Sequence, residues 1–192
     1  MKGGVSIITN QVSLIEQAKN GDEEAFYLLI NQKKTELYRM AYVYVQNEND
    51  AVEIYQQTII RAFEGLPRLN EPEYFSTWIT RILINCCKTY ISKRKNFDLV
   101  EPADIENLRT ISHTNIEEHL DLWKALYQLN ENYKTVLLLR FYQDYSVSQI
   151  AAILQCPEGT VKTHIRRGLQ TLRQQLKGAY IDEWVQSVER ND

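Results

Sequence analysis

The stretch from Tyr145 to Arg173, YSVSQIAAILQCPEGTVKTHIRRGLQTLR, constrains the fold more than any other part of the chain. It reads as a short apolar helix, a turn, and a second helix with two unlike faces. Ile150, Ile153 and Leu154 line the inner side of the first helix. Val161, Ile165, Leu169, Leu172 and Leu176 recur at steps of three and four along the second. Ala151 and Val161 stand where the crossing helices of a helix-turn-helix touch. Ser146, with Gln149 three residues on, has the form of a capping box. Pro157 bars backward extension of the second helix, and Thr160 is placed to cap its first turn.

The outer face of that second helix carries Lys162, Thr163, His164, Arg166, Arg167 and Arg173, and no acidic residue occurs from Gly159 to Lys177. Such a face fits a DNA major groove and its phosphates. Arg166 and Arg167 have the forked donors that match guanine edges or phosphates, and Arg140 and Arg173 suit phosphates. The net charge of −3 is at odds with DNA binding. Its distribution resolves the conflict. Between residues 98 and 121 seven carboxylates face Arg109 alone, whereas Lys88, Lys93, Arg94 and Lys95 lie in a stretch without an acid. Two basic patches flank an acidic middle, and local patches set phosphate contact.

At 192 residues, with 44% hydrophobic content but only seven Gly and four Pro, the chain reads as all-α: two small helical domains. No run approaches a membrane span and no secretory leader is legible, so a cytoplasmic protein without membrane insertion is expected. Cys86, Cys87 and Cys156 form no disulfide framework, and His113, His119 and His164 lack ligand spacing. No Gly-rich phosphate loop or nucleophile motif appears. No cofactor, metal, small-molecule substrate or enzymatic activity is therefore expected.

Helices are expected over Val12–Lys19, from Asp22 to about Tyr44, from Asn49 or Asp50 to about Leu66, and from Glu73 to Lys95. Phe26, Leu29, Ile30, Leu37, Met40, Ala41 and Tyr44 form the core stripe of the second. Ala51, Ile54, Tyr55, Thr58, Ala62 and Leu66 form that of the third, and Phe75, Ile79, Ile82, Cys86 and Tyr90 that of the fourth. Trp78, Arg81, Asn85 and Lys88 repeat on the other side of the fourth helix. One domain is expected over 10–96, a flexible acidic linker over 97–115, a second domain over 116–178 and a tail over 179–192. Extended, such a linker reaches roughly 65 to 70 Å. In the second domain Leu120, Trp123, Leu126 and Tyr127 mark one helix and Tyr133–Tyr142 the next.

Four stretches resemble a bacterial RNA polymerase sigma factor of the extracytoplasmic-function (ECF) type, in the sigma-70 family. DAVEIYQQTIIRAFEGL (Asp50–Leu66) is similar to the polymerase-binding helix of region 2, and FSTWITRILINCCKTYISKRK (Phe75–Lys95) to its promoter-melting and −10 recognition helix. NENYKTVLLLRFYQDYSVSQIAAIL (Asn130–Leu154) and PEGTVKTHIRRGLQTLR (Pro157–Arg173) resemble region 4, which reads the −35 element. The chain departs from that pattern at Gln57, Thr89, Ser92 and Gln155, where the family often has Glu, Asp, Arg and Gly.

The resemblance implies a subunit that directs core polymerase to promoters and aids their melting, in an envelope or extracellular stress response. Its partners would be promoter DNA, core polymerase through the β′ clamp coiled coil and the β flap, and an anti-sigma factor. Asp50, Glu53, Gln56, Gln57, Ile60 and Arg61 would face polymerase. Asn70 and Tyr74 would hold an extruded base, with Trp78, Arg81, Asn85, Lys88, Lys93, Arg94 and Lys95 on the −10 element. The competing reading is a stand-alone helix-turn-helix regulator of duplex operators.

Overall fold

The computed structural model describes residues 12–95, 122 and 125–176, and the chain divides into two compact units between Ala103 and Asp104. The expected linker over 97–115, Leu120, Trp123 and the tail over 179–192 lie outside the described residues. Every described element is helical or a turn.

The first unit begins with α1 (12–19), which buries Ile15 and Ala18. Gly21, at φ 95°, turns the chain, and the Asp22 carboxylate caps α2 (Glu23–Val45) by accepting from the Glu24 and Ala25 amides, both at 3.0 Å. All seven residues expected on the α2 stripe are buried. Asn47 caps α3 (Glu48–Gly65) by accepting from the Asp50 amide at 3.1 Å. That cap moves the helix start ahead of the expected Asn49 or Asp50, because the Asn47 carboxamide reaches three residues on. Pro67 then ends the run in a tight turn (Leu66–Arg68), a second turn (Pro72–Tyr74) follows, and α4 (Phe75–Lys95) starts directly after it.

Helices α2, α3 and α4 pack on one another. Ala51, Ile54, Thr58, Ala62 and Leu66 are buried as expected, but Tyr55 is only half-buried. On α4 the buried row is Phe75, Ile79, Leu83, Cys86 and Cys87, widened by Thr80 and Ile84, while Ile82 and Tyr90 are half-exposed. The register differs from the expected one because α4 touches both α2 and α3, so its buried face is broader than one stripe. The hydroxyls of Thr58 and Thr80 turn back onto the carbonyls of Ile54 and Ser76, each at 2.8 Å. Among the described residues no buried side-chain polar atom lacks a partner.

In the second unit a helical turn (125–128) leads to α5 (Glu131–Leu137), capped by Asn130. The expected single helix over Tyr133–Tyr142 instead widens into a π-helical turn at Leu138–Tyr142. Helix α6 (Val147–Leu154) carries the expected capping box: Ser146 and Gln149 bond reciprocally at 3.2 and 2.9 Å. Helix α7 (Glu158–Gln175) starts one residue after Pro157, so Thr160 lies inside the helix and does not cap it. Helix α7 packs on both α5 and α6. Val161 and Leu172 are buried, whereas Ile165, Leu169 and Leu176 are half-exposed. The missing centre of that seam is Gly168: a Cβ there would meet Leu137 Cδ1 at 3.0 Å and Tyr133 Cβ at 3.2 Å. Gln155 ends α6 at φ 53°, ψ 48°, the left-handed conformation that favours glycine.

Gly168→Leu should destabilise the second unit by about 1–3 kcal/mol through overpacking, read as a lower denaturation midpoint with the first unit unaffected. Gln155→Gly should move the same midpoint upward by up to about 1 kcal/mol, since the relieved left-handed strain exceeds the added freedom of the unfolded chain.

Candidate functional site: two cationic helices and an apolar stripe

Helix α3 presents two different edges. Val52, Ile60 and Phe63 are 41%, 49% and 50% exposed, and with exposed Gln56 they form an apolar stripe on one side. Of this stripe only Gln56 and Ile60 belong to the expected docking surface. Val52 and Phe63 share their face by helical spacing, a signal legible in the sequence. The Phe63 ring also meets Phe26 of α2 edge-on at 5.2 Å.

The other edge of α3 carries Asp50, Glu53, Gln57 and Arg61, which line a groove of about 540 Å³ against α4. There the structure joins two residues expected at separate surfaces. Arg94 Nη1 lies 2.6 Å from Asp50 Oδ2, an ion pair spanning α4 and α3. The Tyr90 phenol lines the same groove. Burial first, and then the Asp50 carboxylate, push the Tyr90 phenol up to about 12. Expected in the core, Tyr90 instead joins this cluster, which spacing along α4 does not reveal. Tyr38 and Tyr42 are also raised, by burial and then by Glu48, and Tyr55 by burial.

On the outer side of α4, Asn85 is exposed and Trp78, Arg81 and Lys88 are half-buried in one row. Trp78 is wedged rather than free: its ring stacks obliquely on Phe75 at 5.9 Å, and it would come within 3.1 Å of a Cβ at Gly65. It therefore ties α4 to the end of α3 while leaving one face open. Before α4, buried Leu69 anchors the loop, and Asn70 and Tyr74 project from it, Tyr74 being 55% exposed. Lys93 is exposed beside Arg94. The side chain of Lys95 lies outside the described residues.

On α7, Lys162, Arg166, Arg167 and Arg173 are exposed. Among the described residues no carboxylate pairs with Lys162, Arg166 or Arg167. Thr163 donates its hydroxyl to the Gly159 carbonyl at 2.8 Å, and the His164 ring meets Tyr133 edge-on at 5.5 Å. Arg140 donates to the Tyr145 carbonyl at 3.4 Å, so it also fastens the loop into α6. The cationic surface of this unit is centred on the middle of α7. Among the described residues no cluster of metal-ligating side chains occurs and no helix is long and apolar enough to cross a membrane.

Two family models match the chain, one described as Sigma-70 region 2 over residues 29–97 and one as Sigma-70, region 4 over residues 119–172. The chain is 33% identical over 147 residues to the RNA polymerase sigma factor SigV of Bacillus subtilis (strain 168), covering 77% of this chain and 88% of the relative. It is 32% identical over 177 residues to the ECF RNA polymerase sigma factor SigW of the same organism, covering 85% and 95%. In fold it is similar to the sigma factor RpoE of Bartonella quintana, solved with the anti-sigma factor NepR: the TM-score is 0.68 at 21% identity, covering 79% of this chain and 96% of that one. CnrH, solved with the cytosolic domain of CnrY, gives a TM-score of 0.66 at 22% identity, covering 84% and 94%.

The raised pKa of Tyr90 makes stability depend on alkaline pH. The neutral phenol is favoured by folding, so its contribution is complete below pH 10.0 and is lost as pH rises through about 12. Tyr90→Phe should remove part of the stability loss between those values, as followed by denaturant midpoints across that range. An unchanged profile would contradict a phenol pushed up to about 12.

Proposed function

The chain belongs to the sigma-70 family, in its ECF group, and from that membership we propose how its two units share the work of a promoter-specificity subunit. It is a sigma factor and not an enzyme: it confers promoter choice on RNA polymerase, which performs the synthesis. In our reading the apolar stripe of α3 seats on core polymerase, at the β′ clamp coiled coil. The outer row of α4 and the loop before it engage the −10 element, with Asn70 and Tyr74 beside an extruded base. Helix α7 enters the major groove of the −35 element, and α5 with its flanking turns offers the surface for the β flap. The protein acts in the cytoplasm, in an envelope or extracellular stress response, and is held in reserve by an anti-sigma polypeptide of the kind that accompanies RpoE in its complex with NepR.

One observation carries this reading. The first unit offers two unlike surfaces, an exposed apolar stripe on α3 and a cationic row on α4, and the second adds the cationic face of α7. An apolar stripe needs a protein partner. Cationic helices need phosphates. A stand-alone operator binder uses α7 but has no task for the two surfaces of the first unit.

Transcription with purified core polymerase tests the division. Specific initiation should require both core and this chain; tight operator binding without core, and no initiation with it, would favour the stand-alone regulator. Ile60→Glu should weaken core association about tenfold or more, near 1.4 kcal/mol, with promoter choice retained. Arg166→Ala with Arg167→Ala should weaken upstream-element binding by about 1–3 kcal/mol for each arginine that reads a base, or lower the salt slope by about 1 for each that holds a phosphate. Core association should be unchanged in that variant, and an equal fall in both would refute the assignment of α7.

A further inference from the structure

Asp50 stands where the sequence suggests a polymerase contact, yet its carboxylate is already engaged within the first unit. Its backbone amide is held by Asn47 at 3.1 Å, which fixes it in the first turn of α3, where a negative charge is favoured by the helix dipole. One oxygen lies 2.6 Å from Arg94 Nη1, and Tyr90 lines the groove beside the pair. Its side chain is 18% exposed, against 38% for Arg94. The more exposed partner of the pair is therefore the arginine. A guanidinium has five donors in a planar fork, and the hydrogen bond to Asp50 uses one nitrogen of it.

We propose that Asp50 is a positioning residue for promoter contact: it clamps one edge of the Arg94 guanidinium so that the other edge is presented, already ordered, to a backbone phosphate of the −10 region. This inference rests on the sigma-factor reading and gives Asp50 a different task from polymerase docking. Charge and order pull in opposite directions at this pair. The carboxylate cancels the arginine at long range, so steering toward DNA falls to neighbouring Arg61 and Lys93, with Glu53 opposing them in the groove. What the clamp supplies is rotamer freedom already lost before DNA arrives. An arginine on the last turn of a helix would otherwise surrender that freedom on binding.

Because charge and order oppose each other here, a single substitution separates them. Holoenzyme assembled with the wild-type chain selects a fork-junction DNA from a randomised pool, and the variants are measured on that DNA and on core polymerase. Asp50→Asn raises the local charge by one, yet it should weaken fork-junction binding about five- to tenfold while core affinity stays at the wild-type value. Arg94→Lys keeps the charge, loses the fork and leaves the fold intact, and it should weaken binding by a similar factor. Exchanging the pair, Asp50→Arg with Arg94→Asp, should recover the melting temperature lost in Asp50→Asn but not DNA binding. Tighter or unchanged DNA binding by Asp50→Asn overturns the proposal, as does wild-type binding by Arg94→Lys. A parallel loss of core affinity assigns Asp50 to the polymerase surface instead. Recovery of DNA binding by the exchanged pair reduces the bridge to a structural tie. Failure of the wild-type holoenzyme to select any DNA sinks the sigma-factor reading itself, and the positioning role with it.

Discussion

Ala51, Thr58 and Ala62, all fully buried on one side of α3, let its neighbouring helices approach closely. The rest of the first unit depends on that approach. Because the buried row occupies one side only, α3 keeps two further sides for other purposes. One carries Val52, Gln56, Ile60 and Phe63 into solvent. The other leans far enough toward α4 that Asp50 meets Arg94, 44 residues later in the chain. A bulkier row would separate the helices and dissolve the groove between them. The hydroxyl of Thr58 fits this crowded seam because it bonds to its own helix at the Ile54 carbonyl and asks nothing of α4.

Gly168 plays the corresponding part in the second unit. With no side chain there, α7 lies directly against Tyr133 and Leu137 of α5. Val161 and Leu172 then seal the seam on either side of the glycine. The cationic face of α7 is carried by a helix anchored in the middle rather than at one end. Tyr133 also holds the His164 ring, so the same residue that meets the glycine orders one member of that face. Each unit thus joins a close helical contact to an exposed cationic surface, and the rigidity of the first supports the precision of the second.

The charge pattern explains how a protein of net negative charge carries two cationic surfaces. The net charge of −3 is spread unevenly, and long-range steering depends on the local field. In the second unit Lys162, Arg166 and Arg167 have no carboxylate partner among the described residues. In the first, Arg94 is engaged by Asp50 while Lys93 beside it stays exposed. The two cationic surfaces therefore differ in how far their charges are already engaged within the protein.

The helical class, the capping box at Ser146, the halt at Pro157 and the acid-free run from Gly159 onward were all legible along the chain, because periodicity, caps and charge act within a few residues. The likeness to sigma regions was readable for the same reason: contiguous stretches carry it. Packing between helices set how broad the buried face of α4 is, which displaced Ile82 and Tyr90 from the core. Packing also left Tyr55 half-exposed, rested Trp78 on Gly65, and brought Arg94 onto Asp50. Those outcomes depend on which helices meet, and at what distance, and no spacing along one helix encodes the side chains that its neighbour will bring.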